Sequence, residues 1–279
     1  MGKLDANLRG GNKLLINVLV MAGTSKKGEL EEYAQVSNKA LIPINEKPML
    51  WFVLEALEGL SSLNKIKLLS SPQEIEPVLS DSRWAGVEII PEKGSLLDNL
   101  EEGLKYMEKE TPCLVATSDI PLVTASIVQD FVNRCDPFDK DFYYPIIAEK
   151  DYIKEFPNAK RTYLKLKEGK FTGGNLALVK PSSILERISR LHMIFAHRKK
   201  PWKYARMLSP FMVFKFLFKQ LTVPELEDYI SHLMSWRVQA VSTPYVEIGA
   251  DVDKPRDLDL IKEIIKQEES GGNLRSSKQ

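Results

Sequence analysis

Between residues 14 and 135, four short apolar runs each give way to a segment of helical pattern, and this alternation constrains the fold more than any other feature of the chain. The run "LLINVLVMAG" precedes a helical stretch over 48–60, "KIKLLSS" one over 72–79, "GVEIIPE" one over 95–109, and "CLVATSDI" one over 124–135. Strands joined through helices pair in parallel, and right-handed crossovers place the helices on both faces of the sheet. Pro72 followed by Glu74 and Glu76, and Thr124 as an N-cap, suit helix N-termini.

From Asp141 the pattern changes. "DFYYPII", "RTYLKLKEGKFTGGNLALVK" and "QAVSTPYVEI" read as strands, interrupted by a helical insertion over about 182–236. "DVDKPRDLDLIKEIIKQ" closes the fold as a helix with Pro255 in its first turn and Leu258, Leu260, Ile261, Ile264 and Ile265 as its buried face. No repeat or low-complexity linker divides the chain. The expectation is one α/β domain over 1–268 with the acceptor side in its second half, and a flexible tail over 269–279.

Charge excludes some partners. Lys and Arg number 39 against 38 Asp and Glu, a net charge of +1, so no global field points to nucleic acid. No apolar stretch approaches the ~20 residues that span a bilayer, and the opening residues hold no apolar signal-peptide core, so a cytoplasmic location is expected. Two cysteines, Cys113 and Cys135, and three histidines, His192, His197 and His232, have no zinc-site spacing, and no serine has a nucleophile-elbow context.

In open α/β sheets ligands bind beyond the carboxyl ends of the strands. The first strand there releases Ala22 and Gly23 and later Lys39; the third releases Gly94 and Ser95; the fourth Ser118 and Asp119; the last Gly249, Asp251 and Asp253. Backbone N–H groups over Ala22, Gly23, Thr24 and Ser25 can approach an anion, with Lys26, Lys27 and Lys39 supplying positive charge. The spacing is neither that of a P-loop nor that of the dinucleotide fingerprint. Asp119 and Asp253 each have a purely structural reading, as a turn residue before Pro121 and as a cap ahead of Pro255. Falling with the glycine loop and Lys39 on one sheet edge, they form a set suited to Mg²⁺ and phosphate.

Three segments, "VLVMAG...NKALIPINEKPMLWFVLEAL", "VATSDIPLVT" and "DVDKPRDLDL", together resemble the MobA-like NTP transferases, nucleotidyltransferases of GT-A, Rossmann-like fold. The resemblance implies Lys39 as a catalytic cation, Asp119 and Asp253 as Mg²⁺ ligands, and Gly94, Ser95 and Asn99 beside the nucleotide base. Gly174 and Asn175, in "FTGGNLALVK", would face the acceptor. The implied reaction transfers NMP from an NTP to a phosphorylated small-molecule or lipid acceptor and releases pyrophosphate. The first loop departs from the family's double glycine and arginine, having "AGTSKKGELEEYAQVSNK" instead, so Lys26 or Lys27 is expected to carry that charge. A GT-A glycosyltransferase and a nucleotide-binding regulatory domain without turnover are the alternatives; the first is opposed by the lack of a D-x-D at "TSDIPL".

The segment 197–221 is read in two ways. Arg198, Lys199, Lys200, Lys203 and Arg206 precede Phe211, Phe214, Phe218 and Leu221 at helical spacing. Either the aromatic stripe packs on the core with the lysines solvated, or the segment is a basic amphipathic surface for peripheral contact with an anionic membrane.

Overall fold

The computed structural model describes residues 9–10, 13–23, 28–157, 159, 161–196 and 210–270. Strand β1, Ile16–Met21, is buried at every position, as befits the middle of a parallel sheet. It lies between β2, Leu63–Ser70, and, after β3 at Val87–Pro91, the later strand β4, Cys113–Thr117, all four parallel. The order β3-β2-β1-β4 reverses direction at β1, so a crevice opens between the carboxyl ends of β1 and β4.

Alternate β1 side chains serve the two faces. Val18 and Val20 join Leu50, Val53, Leu54 and Leu57 of α2, Met49–Glu58, and Ile127, Val128 and Phe131 of α5, Ala125–Arg134. Leu19 and Met21 instead meet Leu104 of α4, Leu96–Lys105, and Met234 and Trp236 from the insertion. Each fully buried leucine or isoleucine contributes ~1.5–3 kcal/mol relative to exposure. The third helix, α3, runs Pro72–Leu79, with Pro72 in its first turn. A short helix, α1 at Glu29–Ala34, occupies the long polar stretch of the first loop; it is held by the Gly28 N–H donating to Glu31 Oε2 at 3.0 Å and by buried Leu30.

The second half makes the sheet mixed. β5, Phe142–Ala148, leads through α6, Glu149–Glu155, to the hairpin β6, Leu164–Leu166, and β7, Gly169–Gly173, and then to β8, Leu176–Val179. β8 runs antiparallel to β4, while β5 has β8 and β7 along one edge and β9, Val238–Ser242, parallel along the other. The insertion is helical: α7 Pro181–Glu186, α8 Ile188–Ala196, α9 Pro210–Leu217 and α10 Val223–Met234. Helix α11, Pro255–Glu269, closes the chain. The result is a mostly parallel α/β sheet flanked by helices, a Rossmann-like architecture consistent with the expected GT-A fold.

Four local expectations are corrected. The helix predicted over 95–109 ends at Lys105, where Tyr106 N turns back to Gly103 O. "QAVSTPYVEI" is a strand only to Ser242: Pro244 has no N–H for a ladder, Thr243 Oγ1 takes the Tyr245 N–H, and Val246–Gly249 is a 3-10 turn. On α11, Leu258, Ile261 and Ile265 are buried but Leu260 is 39% exposed. The stripe on α9 does not pack inward, because Phe214 and Phe218 are 56% and 60% exposed and lean on each other, ring centroids 4.3 Å apart; Leu221 alone of the described members is buried. The basic residues Arg198, Lys199, Lys200, Lys203 and Arg206 lie outside the described residues, as does most of the expected tail.

Candidate active site

The position of Lys39 follows from its neighbour. Asn38, 1% exposed, caps the 3-10 turn Lys39–Leu41 through Oδ1, which accepts the Ala40 N–H at 2.9 Å. Its Nδ2 donates to the Ala22 carbonyl at 3.0 Å, with Ser70 Oγ donating to the same oxygen at 2.8 Å. A lysine far along the loop is thereby fastened to the end of β1. Buried Ala40 and Ile42 anchor the turn from below.

Asp119 follows β4 directly, and Thr117 Oγ1 donates to its Oδ1 at 2.5 Å. The Asp119 carbonyl accepts the Val252 N–H at 3.0 Å, which draws the 251–253 loop to the end of β4. Lys39 Nζ lies 2.7 Å from Asp119 Oδ2 and 2.7 Å from Asp253 Oδ1. Three side chains distant in sequence thus meet at the crevice. Burial would lower the Lys39 pKa, but the charge and hydrogen bonds of Asp119 and Asp253 outweigh it and hold the ammonium above its usual value. Burial likewise opposes ionisation of Asp253, yet hydrogen bonds from Lys39 and Asp251 keep its carboxyl below the usual range.

Asp251 is a third carboxylate of the group. Ligand oxygens of Asp119, Asp251 and Asp253 lie within 4.8 Å of one another, the one such cluster of metal-ligating side chains among the described residues. Three hard oxygen donors with no thiolate or imidazole fit Mg²⁺, and the bridging ammonium of Lys39 marks where a cation is favoured. Burial raises the Asp251 pKa against the pull of Arg161, whose guanidinium pairs with its Oδ1. Arg161 also lies over the Tyr152 ring, 5.4 Å from its centroid. Neither Arg161 nor the ligand role open to Asp251 was singled out from sequence. The alternation of Asp251 and Asp253 in "GADVDKP" was a usable signal for Asp251; Arg161 reaches the site from a loop with no pattern of its own.

The residues expected beside the nucleotide gather where β1 meets the 92–99 loop. The Ala22 N–H is spent on Leu69 O at 2.9 Å and its side chain is buried, so it is not a free donor to phosphate. At Gly23 a Cβ would come within 2.7 Å of Asn99 Nδ2 and 2.8 Å of Glu92 Oε2, so a larger residue would have to displace these two side-chain ends where β1 approaches the 92–99 loop. Thr24, Ser25, Lys26 and Lys27 lie outside the described residues. Asn99 Oδ1 accepts the N–H groups of Lys93 and Gly94, at 2.7 and 3.2 Å, and Ser95 caps α4 in a reciprocal box with Asp98. These three residues shape the loop beside Gly23 with bonds internal to it.

Of the two residues expected to face the acceptor, Gly174 is required by packing: a Cβ there would meet Ile248 Cγ2 at 2.5 Å. Asn175 is tied at its backbone, N to Ile248 O at 2.9 Å and O from Thr117 N at 3.2 Å, while its buried Nδ2 has no hydrogen-bond partner. Both cysteines are buried and unpaired, and burial pushes each thiol up to about 12.

Comparison with known proteins bears on the family and the fold. The profile of the MobA-like NTP transferase domain matches residues 18–208. A structure from Thermus thermophilus described as a hypothetical transferase is 34% identical, with a TM-score of 0.76 over 88% of this chain and 100% of that one. A nucleotidyl transferase from Methanothermobacter thermautotroptrophicus shares 13% identity and a TM-score of 0.56 over 91% and 99% of the two chains. A 4-diphosphocytidyl-2C-methyl-D-erythritol synthase from Anaerococcus prevotii shares 10% and 0.57 over 90% and 96%. These last two likenesses show the fold alone. No curated protein matches the chain.

Proposed function

Because the chain belongs to the MobA-like NTP transferase family and is a nucleotidyltransferase, we propose that it moves NMP from an NTP to a phosphorylated acceptor at the crevice between β1 and β4. The observation that carries this reading is the contact of Lys39 with both Asp119 and Asp253 at the carboxyl edge of the sheet. An oxygen of the acceptor phosphate attacks the α-phosphorus, the bond from that phosphorus to the bridging oxygen breaks, and pyrophosphate leaves with the electron pair. The acceptor oxygen is already ionised near neutral pH, so no residue need remove a proton.

Asp119, Asp251 and Asp253 would hold Mg²⁺, which supplies neutralisation of the charge that builds on the α-phosphoryl oxygens. Lys39, kept protonated by its two carboxylates, would exchange those contacts for phosphoryl oxygens and stabilise the same charge. Thr117 and Arg161 act as positioning residues through their bonds to Asp119 and Asp251. Gly23 and the loop of Gly94, Ser95 and Asn99 would pass beside the base and ribose, with Lys26 or Lys27 near the triphosphate, and Gly174 and Asn175 on the acceptor side.

The same reading places the protein in the cytosol. Among the described residues no helix is long and apolar enough to cross a membrane. It also includes peripheral contact with an anionic membrane through 197–221, supported by exposed Phe214, Phe216, Leu217 and Phe218. A pyrophosphate-release screen of the four NTPs with phosphorylated acceptors, lipids included, tests the function. The expected result is Mg²⁺-dependent release with one NTP and an acceptor; release of a nucleoside diphosphate instead would assign glycosyl transfer.

A further inference from the structure

Beside the acid cluster, between α4, the strands β4, β5 and β8, and the insertion, lies a cleft of about 290 Å³. Its walls are almost wholly apolar: Met21, Leu100, Ala177, Ile184, Leu191 and Phe195 are among them. Among the described residues, the only side chains there that carry hydrogen-bonding groups are Thr117, Tyr144, Asn175 and Trp236, and the Trp236 indole N–H is already given to Ser183 O at 2.9 Å.

The remaining three gather at one end. Thr117 donates to Asp119, the Asn175 backbone carbonyl accepts from Thr117 N, and the Tyr144 hydroxyl lies over Gly173, two residues before Asn175. From Tyr144 a stacked aromatic ladder leads away from the acids: Phe142 at 6.1 Å, interplanar angle 18°, and then Trp236 at 5.8 Å and 17°. Leu191 and Phe195, one turn apart on α8, add to the apolar wall, and Met193 of the same helix is 56% exposed. The cleft therefore has a polar end beside the reacting centre and an apolar floor that follows the ladder to Trp236.

A nucleoside is a poor occupant, since its base and ribose would lose their hydrogen bonds to water with few groups to replace them. We propose that the cleft receives the hydrocarbon chain of the acceptor, so that the acceptor is a phosphate monoester of a prenyl or alkyl chain, with its phosphate at Lys39 and Asp119 and its tail along the Tyr144, Phe142 and Trp236 ladder. The inference rests on the transferase reading for the identity of the head group. The unpartnered Asn175 Nδ2 supplies a donor where the head group meets the tail. The space, at the small end of ligand pockets, has room for about ten carbons.

The test measures binding of methyl, hexyl and decyl phosphate, below their aggregation concentrations and without NTP, by titration calorimetry. Affinity is expected to rise at least tenfold from hexyl to decyl phosphate. That gain is expected to vanish in Ala177→Phe, which fills cleft space from its wall, and in Leu191→Lys, which puts a charge in its apolar lining and serves if Ala177→Phe does not fold. Equal affinity for the three esters overturns the proposal, and is what filling of the cleft by the chain's own 197–209 segment would give. An undiminished gain in a folded variant overturns it equally. Mg²⁺-dependent NTP binding by the unaltered protein, measured in parallel, separates the two readings: if it persists without a chain-length effect only the tail site is lost, and if it is absent the transferase reading falls.

Discussion

The carboxyl edge of the parallel strands and the helical insertion treat their side chains in opposite ways. At the edge, charged groups are drawn together and satisfied: Lys39 against Asp119 and Asp253, Arg161 against Asp251. In the insertion, large apolar groups are left outward on α8 and α9, with Met193, Phe214, Phe216, Leu217 and Phe218 all exposed, although β1 a short way off is buried throughout. A hydrophobic core can hide such residues cheaply, so leaving them in water is the feature on which the proposed membrane contact rests. The edge gathers charge, and the insertion leaves apolar side chains in the open.

The strongest way to break this contrast is at the edge. Lys39→Ala is expected to lower kcat by about 10²–10³ with little change in KM, because its ammonium meets charge that grows toward the transition state. Steady-state pyrophosphate release checks this; a change confined to KM would make Lys39 a substrate-binding group only.

The join between the two regions ranks next. Asp141 accepts the Arg237 backbone N–H at 2.8 Å, two guanidinium N–H groups at 3.1 and 3.0 Å, and Ser183 Oγ at 2.9 Å, tying the start of β5 to both ends of the insertion. Asp141→Asn is expected to cost about 2 kcal/mol in urea unfolding. Burial would raise the Asp141 pKa, but the bonds from Arg237 and Ser183 hold its carboxyl below the usual range. A carboxyl depressed on folding stabilises above its unfolded pKa of about 4, and that stability is lost as pH falls through the lower folded value. The acid limb of the stability profile should therefore be shallower in Asp141→Asn than in the unaltered protein.

The smallest expected effect lies on the exposed helix. Phe214→Asp should change stability by less than about 0.5 kcal/mol, since the ring is already in water. Flotation with anionic liposomes should nevertheless fall. Unchanged flotation would leave the insertion's outward face without its membrane role.

What could be read from the sequence also divides along this line. In the parallel half the polar residues follow strands whose apolar runs end abruptly, so Gly23 and Asp119 were legible as edge residues, and Lys39 and Asp253 through their local motifs. The bond that places Lys39 was not, because it passes from the Asn38 side chain to the Ala22 carbonyl, a contact between residues 16 apart that no periodicity records. Helix α1 escaped notice because Leu30 is its single buried apolar side chain. In the mixed half, neighbours are set by antiparallel pairing across long connections, so Arg161 and the aromatic ladder emerge only once β5, β8 and the insertion are assembled. The spent N–H of Ala22 is a similar case: the sheet partner that takes it is Leu69, on another strand.

The claim on which the rest depends is that the acids at the crevice share a divalent ion with a bound triphosphate. Electron paramagnetic resonance of Mn²⁺ titrated into the protein with each NTP, for the unaltered chain and for Asp119→Ala, tests it directly. The account predicts one tightly held ion per chain in the presence of the right NTP, lost in Asp119→Ala. An ion held equally well by both proteins would contradict it.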